Sequence, residues 1–133
     1  MVLVFFTTLF HGCATLSSPK DEKELLRGRV VQFMTAKVAG QWDSVYDFLD
    51  PAFRMKVSKK DFLSRQRKIT FKSFEIRKLE ILPSVKEARV EISSDISMQG
   101  YDFKNALEVQ HWVDVDNKWY LKIKEPPNPF IQN

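Results

Sequence analysis

The side chains able to do chemistry in this sequence are few, and their scarcity is informative. There is one cysteine, Cys13, and there are two histidines, His11 and His111. A disulfide framework and a thiolate zinc site both need more cysteines, and a histidine-rich metal site needs more imidazoles. The sequence therefore predicts no metal. The four glycines stand at 12, 28, 40 and 100, too scattered for a phosphate-cradling loop or a dinucleotide fingerprint, so no cofactor is expected. No G-x-S-x-G nucleophile elbow occurs. The chemistry left is proton transfer, which takes a carboxylate base in an apolar pocket and a phenol or neutral acid for the oxyanion. Asp47, Asp50, Tyr46, Tyr101, Tyr120 and His111 are the residues of those types. Asp47 reads as the outer face of a short helix, Asp50 as a turn residue before Pro51, and Tyr46 as core. No aspartate sits inside an apolar strand face, so no catalytic residue is assigned. Pocket candidates are Asn105 and His111, which share a strand face with Phe103, Leu107, Val109 and Val113, together with Tyr46 and Tyr120. Such a pocket would take an apolar or amphipathic small molecule, oriented by its polar groups.

These residues need elements to hold them. The 133 residues are 44% apolar and 29% charged, enough for the core of one domain. Ser18 as N-cap, Pro19 at N1 and Asp21 at N3 open a helix. Leu26, Val30, Phe33, Met34 and Val38 recur along it, and Gly40 stops it, so it is expected over 19–39. A second short helix carries Trp42, Val45, Tyr46, Phe48 and Leu49, and Asp50-Pro51 ends it. Ser58-Lys59-Lys60-Asp61 opens a third. From about residue 70 the apolar period becomes two, with a phase shift that predicts a bulge near Arg77-Lys78. Gly100-Tyr101-Asp102 reads as a turn, and Asp116-Asn117 as a two-residue hairpin. Trp112, Trp119, Leu121 and Ile123 then share one face of the last hairpin; His111, Val113, Tyr120 and Lys122 share the other. One face must cover the helices. The other is left to the proline-rich tail, 126–133, or to a second subunit in a homodimer through the sheet. Helices followed by long antiparallel strands give an α+β layer fold.

Residues 1–12 contain no Lys, Arg, Asp or Glu and eight of them are apolar. A membrane-spanning helix needs about 20 apolar residues, so this stretch has the length of a signal-peptide core instead. With Gly12-Cys13 and the tether over 13–18, it resembles the lipobox of bacterial lipoproteins. The resemblance implies a cleaved signal, a lipid on Cys13, and a place in the cell envelope, on the outer membrane facing the periplasm if the host has two membranes. The alternative is a cytosolic domain with an incidental thiol.

The stretch from Gln41 to Arg54 after a long helix, and the ending from Trp112 to Leu121, resemble the nuclear transport factor 2-like superfamily, whose domain would span 19–125. That resemblance implies a curved antiparallel sheet wrapped round N-terminal helices as a cone with a pocket at its wide end. It implies no single activity. Two function classes follow: a membrane-anchored, non-catalytic binding or accessory domain, or a small isomerase or cyclase using the cone pocket.

Charge is unevenly placed. The net charge is +4, but ten basic and two acidic residues fall in 54–78. Lys59, Lys60, Arg65 and Lys68 form the heart of this stretch. It is either a solvated face or a patch for an anionic lipid or cell-wall polymer. Phe62, Phe71 and Phe74 fit core spacing rather than a base-stacking platform, so no nucleic acid is expected.

Overall fold

The computed structural model describes residues 18–66 and 68–124. Helix α1, Pro19–Val38, opens as its sequence dictates. The Ser18 hydroxyl accepts the Asp21 amide at 3.3 Å, and the Asp21 carboxylate accepts the Ser18 amide in return. This reciprocal box satisfies two amides that the first helical turn leaves unpaired. Gly40 follows the helix with φ of +68°, the left-handed conformation glycine adopts without Cβ strain.

Helix α2, Trp42–Asp47, ends three residues before the expected stop. Residues 48–50 straighten instead and lie parallel to the last strand. The Leu121 amide donates to the Phe48 carbonyl at 2.8 Å, and the Asp50 amide to the Leu121 carbonyl at 2.9 Å. Asp50-Pro51 does not simply close a helix: it opens α3, Pro51–Lys56, with the Asp50 side chain accepting from the Ala52 amide and Pro51 at N1. An aspartate before proline serves an N-cap as well as a stop, because the extended backbone that proline imposes on its neighbour is the N-cap conformation. Ser58 caps α4, Lys59–Ser64, as expected.

The strands are β1, Ile69–Leu82; β2, Glu87–Met98; β3, Tyr101–Val115; and β4, Lys118–Lys122. They form an open antiparallel sheet in the order β1-β2-β3-β4. Asp116 and Asn117 both have positive φ, the backbone of a two-residue hairpin turn. The β2–β3 turn is Gln99-Gly100, one step earlier than expected, and Tyr101 and Asp102 already belong to β3. The register shifts between Ile76 and Lys78, where the alternation predicts a bulge, and again between Phe71 and Ser73. A further shift lies opposite Asp95, where β3 carries an extra residue. Helix α1 lies against one face of this α+β sheet, α2 packs on α1, and α4 packs on α2. Leu26, Val30, Phe33 and Met34 of α1 are buried together with Val90, Ile92, Trp112 and Leu121. Phe33 meets Trp112 edge-on, with centroids 5.5 Å apart at 88°, the arrangement aromatic quadrupoles favour. Trp112, Trp119 and Leu121 thus face the helices.

Candidate functional site

The apolar stripe of α1 holds a charge. Its buried side chains are Leu26, Val30, Phe33, Met34, Ala36 and then Lys37, which is 8% exposed. Val38, which the periodicity assigns to the stripe, is 37% exposed. Steps of three or four from Phe33 and Met34 reach Lys37 as well as Val38, and the winding of the helix turns Lys37 inward.

An ammonium in that position needs company. Lys37 Nζ lies 4.1 Å from the centroid of Phe71 and 5.2 Å from that of Phe33, within reach of both ring faces. Its ion pair is with Glu108 Oε2 at 3.5 Å. Burial pushes the Lys37 ammonium below its ordinary range, and the charge and hydrogen bond of Glu108 push back. Glu108 comes from the helix-facing row of β3, where it stands opposite Ile92 of β2, and its side chain remains 42% exposed. The pair therefore joins the core to solvent.

It does so in a cleft of about 390 Å³, within the usual size of small-ligand sites. Trp42 and Phe71 form an aromatic wall, with centroids 6.3 Å apart. Ile69, Gln66 and Arg65 complete the lining with the ion pair. On the same side of the sheet Ser94 is buried and its hydroxyl has no partner. Gln110 next to Glu108 along this row is satisfied by the Trp112 indole at 3.1 Å and by Met34. The arrangement offers an apolar wall, a cation for an acidic or carbonyl head, and a carboxylate that accepts from a hydroxyl or amine.

The pocket candidates expected from the sequence do not converge here. Asn105 sits at the β3 bulge with φ of +53°, exposed. Its amide donates to Asp95 at 2.9 Å and its side-chain oxygen accepts from Ser93 at 3.4 Å. The extra residue at this bulge switches the alternation of β3, so Phe103 pairs on the helix side while Leu107, Val109 and His111 turn outward. The strand face expected to line a pocket, with Leu107, Val109 and His111, therefore looks away from the helices, and Asn105 leaves it at the bulge. His111 lines an outer trough of about 560 Å³ with Arg89 and Lys122. The trough is larger than the cleft, and two of its cations are paired, Arg89 with Glu91 at 3.2 Å and Lys122 with Glu87 at 2.9 Å. Burial, with Lys124 and Arg89, lowers the His111 pKa below its ordinary 6.5.

Tyr46 is buried in the helical layer. Its hydroxyl lies 2.7 Å from the Val57 carbonyl and 3.2 Å from that of Arg54, which pins α3 to its following loop. Tyr120 stands at the β4 edge beside Arg29 and Arg54. Asp47 pairs with Lys59 at 2.9 Å on the surface, and Tyr101 is exposed. Of the basic stretch, Lys59 is engaged by Asp47 and the Tyr46 ring, Arg65 borders the cleft, and Lys60 and Lys68 are exposed. Cys13, the segments 1–12 and 13–17, and the tail 126–133 lie outside the described residues. Sequence reasoning missed Lys37 and Glu108. The available signal was a lysine one step from an expected core position of α1, and a Glu-x-Gln-x-Trp row opposite the outward valines of β3.

No family model matches the chain, and no curated protein matches it significantly.

Proposed function

We propose that this chain is a binding domain of nuclear transport factor 2-like architecture that takes an amphipathic small molecule with an acidic head in the Lys37 cleft. The observation that carries the reading is the buried ammonium itself, held against two aromatic rings and matched by one half-exposed carboxylate. Such an ion is expensive to bury, and a cleft open beside it gives that burial a use. The order of elements supports the architecture: one long helix, short helices, then a meander bent by bulges.

The apolar run ending in Gly12-Cys13 supports a lipid anchor at Cys13 and residence at a bacterial cell-envelope membrane. A ligand with an acyl tail suits that setting. The exposed Lys60 and Lys68 suit a surface of anionic lipid or cell-wall polymer.

The test is a titration of a long-chain fatty acid against the matching alcohol, followed by the fluorescence of Trp42 in the cleft wall. The acid is expected to bind about tenfold or more tightly, as a charge-assisted hydrogen bond to Lys37 requires. Lys37→Met should erase the difference. Equal affinity of the two ligands in the wild type refutes the reading. Cys13→Ser should separately release the protein from host membranes and abolish fatty-acid labelling. A second reading, proton-transfer catalysis, is favoured by one observation: Glu108 is a carboxylate in a largely apolar cleft beside an ammonium lowered by burial. Under it, Glu108→Gln removes turnover while leaving binding.

A further inference from the structure

About 12 Å along the axis from Lys37, α1 carries Arg29, half-buried against the far edge of the sheet. Its Nε donates to the Trp119 carbonyl at 3.0 Å. Its guanidinium carbon stands 4.1 Å from the centroid of Phe48 and 5.6 Å from that of Tyr120. Arg54 of α3 reaches the same place from the other side. Its Nε donates to the Leu49 carbonyl at 3.0 Å, and its guanidinium carbon is also 5.6 Å from the Tyr120 centroid. Lys118 adds a third cation, with Nζ 5.8 Å from that ring.

Two features set this cluster apart. Each arginine spends its Nε on a backbone carbonyl, so its orientation is set by the parallel pairing of residues 48–50 with β4. Among the described residues the paired terminal nitrogens, the fork that matches phosphate or carboxylate, make no hydrogen bond. Moreover, among the described residues neither Arg29 nor Arg54 is within ion-pair distance of a carboxylate although both are partly buried, whereas the other cations withdrawn from solvent, Lys37 and Lys59, are paired. Like charges held round one ring repel. Burial lowers the Arg29 pKa, Tyr120 counters that, and the charge of Arg54 adds to it. An incoming anion would relieve the repulsion and complete both forks.

We propose that Arg29, Arg54 and Tyr120, with Lys118 at the rim, form a binding site for a phosphate-bearing group at the β4 edge. The site makes no use of the Lys37 cleft, and its test is independent of that reading. The phosphate belongs either to a soluble small molecule or to a lipid headgroup, and the two sources are separable.

The first arm titrates the native protein with inorganic phosphate at constant ionic strength and follows backbone amide NMR signals. Saturable shifts are expected at residues 29, 48–54 and 118–121. Arg54→Gln should weaken binding by about tenfold to a hundredfold, the size of a lost charged hydrogen-bond pair. Arg54→Lys keeps the charge and the fold but loses the fork, and should fall between. Lys72→Gln, on the opposite edge strand, should bind like the wild type. The second arm measures sedimentation with phosphatidylglycerol vesicles in the full chain carrying Cys13→Ser, which removes any lipid anchor. If Arg54→Gln releases the protein from vesicles, the group is a headgroup. If it impairs inorganic phosphate alone, the ligand is soluble. Arg54→Gln binding as the wild type does in both arms overturns the proposal. So does an equal loss from Lys72→Gln, which would make the attraction diffuse. Circular dichroism of Arg54→Lys guards against misfolding as the cause.

Discussion

Replacing Lys37 by methionine should make the protein more stable, and removing its partner should make it less so. The ion pair at 3.5 Å is worth no more than about 5 kcal/mol at an effective dielectric near 20. The Glu108 side chain is 42% exposed, and solvent screening reduces that to about 1–2 kcal/mol. The two ring faces add about 1 kcal/mol. Against these stands the desolvation of an ammonium, several kcal/mol after relaxation. The balance favours methionine, which fills the same length without a charge, by about 1–2 kcal/mol. For a domain of this size that is a rise in melting temperature of about 4–10 °C. Glu108→Gln strands the buried cation and should cost about 1–2 kcal/mol. The sign carries over to pH. With its pKa lowered by burial, Lys37 penalises folding fully below its folded pKa, and the penalty fades as pH climbs towards the ordinary 10.5. The advantage of Lys37→Met should therefore shrink in alkali. Urea denaturation of both variants across pH reads all three effects. Lys37→Met less stable than the wild type by more than about 1 kcal/mol would refute the desolvation argument, because it would make the pair a net stabiliser.

His111 should titrate below 6.5 in an NMR pH series, because burial and its cationic neighbours disfavour the imidazolium. Its contribution to stability should be intact above 6.5 and fall as pH drops towards the folded pKa, a slope that His111→Gln removes. Trp112 is fully buried and edge-on to Phe33; Trp112→Ala should cost about 3–5 kcal/mol in chemical denaturation, and a loss under 1 kcal/mol would contradict its place at the centre of the core.

Local signals were the most legible in the sequence. The Ser18 cap, the Ser58 cap and the Asp116-Asn117 turn each depend on residues within three or four positions, and each forms as read. The Trp112–Trp119–Leu121 face was also legible, because the hairpin turn fixes its register and one face must be covered. Alternation puts Phe103 and Asn105 in one row with Leu107, Val109, His111 and Val113, and the last four do share the face opposite Trp112; the extra residue at Asn105 moves Phe103 to the helix side and takes Asn105 out of the row. Lys37 was hidden because a lysine on a helix is ordinarily a solvated one. Its burial depends on Phe71 and Glu108, which reach it through strand pairing that helical spacing does not encode. The short segment over 48–50 was read as helix for a similar reason: its hydrogen-bond partner is Leu121, near the far end of the domain.

That clasp has a kinetic meaning. The meander itself is built from neighbours, each strand pairing with the next across a short turn, so its hairpins can zip in microseconds. The clasp cannot. The Arg29 bond to the Trp119 carbonyl joins residues 90 apart, and closing a loop of that length costs on the order of 4 kcal/mol of chain entropy before any contact repays it. The early helices and the last strand are therefore expected to find each other after the hairpins exist, as the late step of folding. The amides of Asp50 and Leu121 then belong to the same cooperative unit, despite their distance in sequence, and their hydrogen exchange should slow and quicken together.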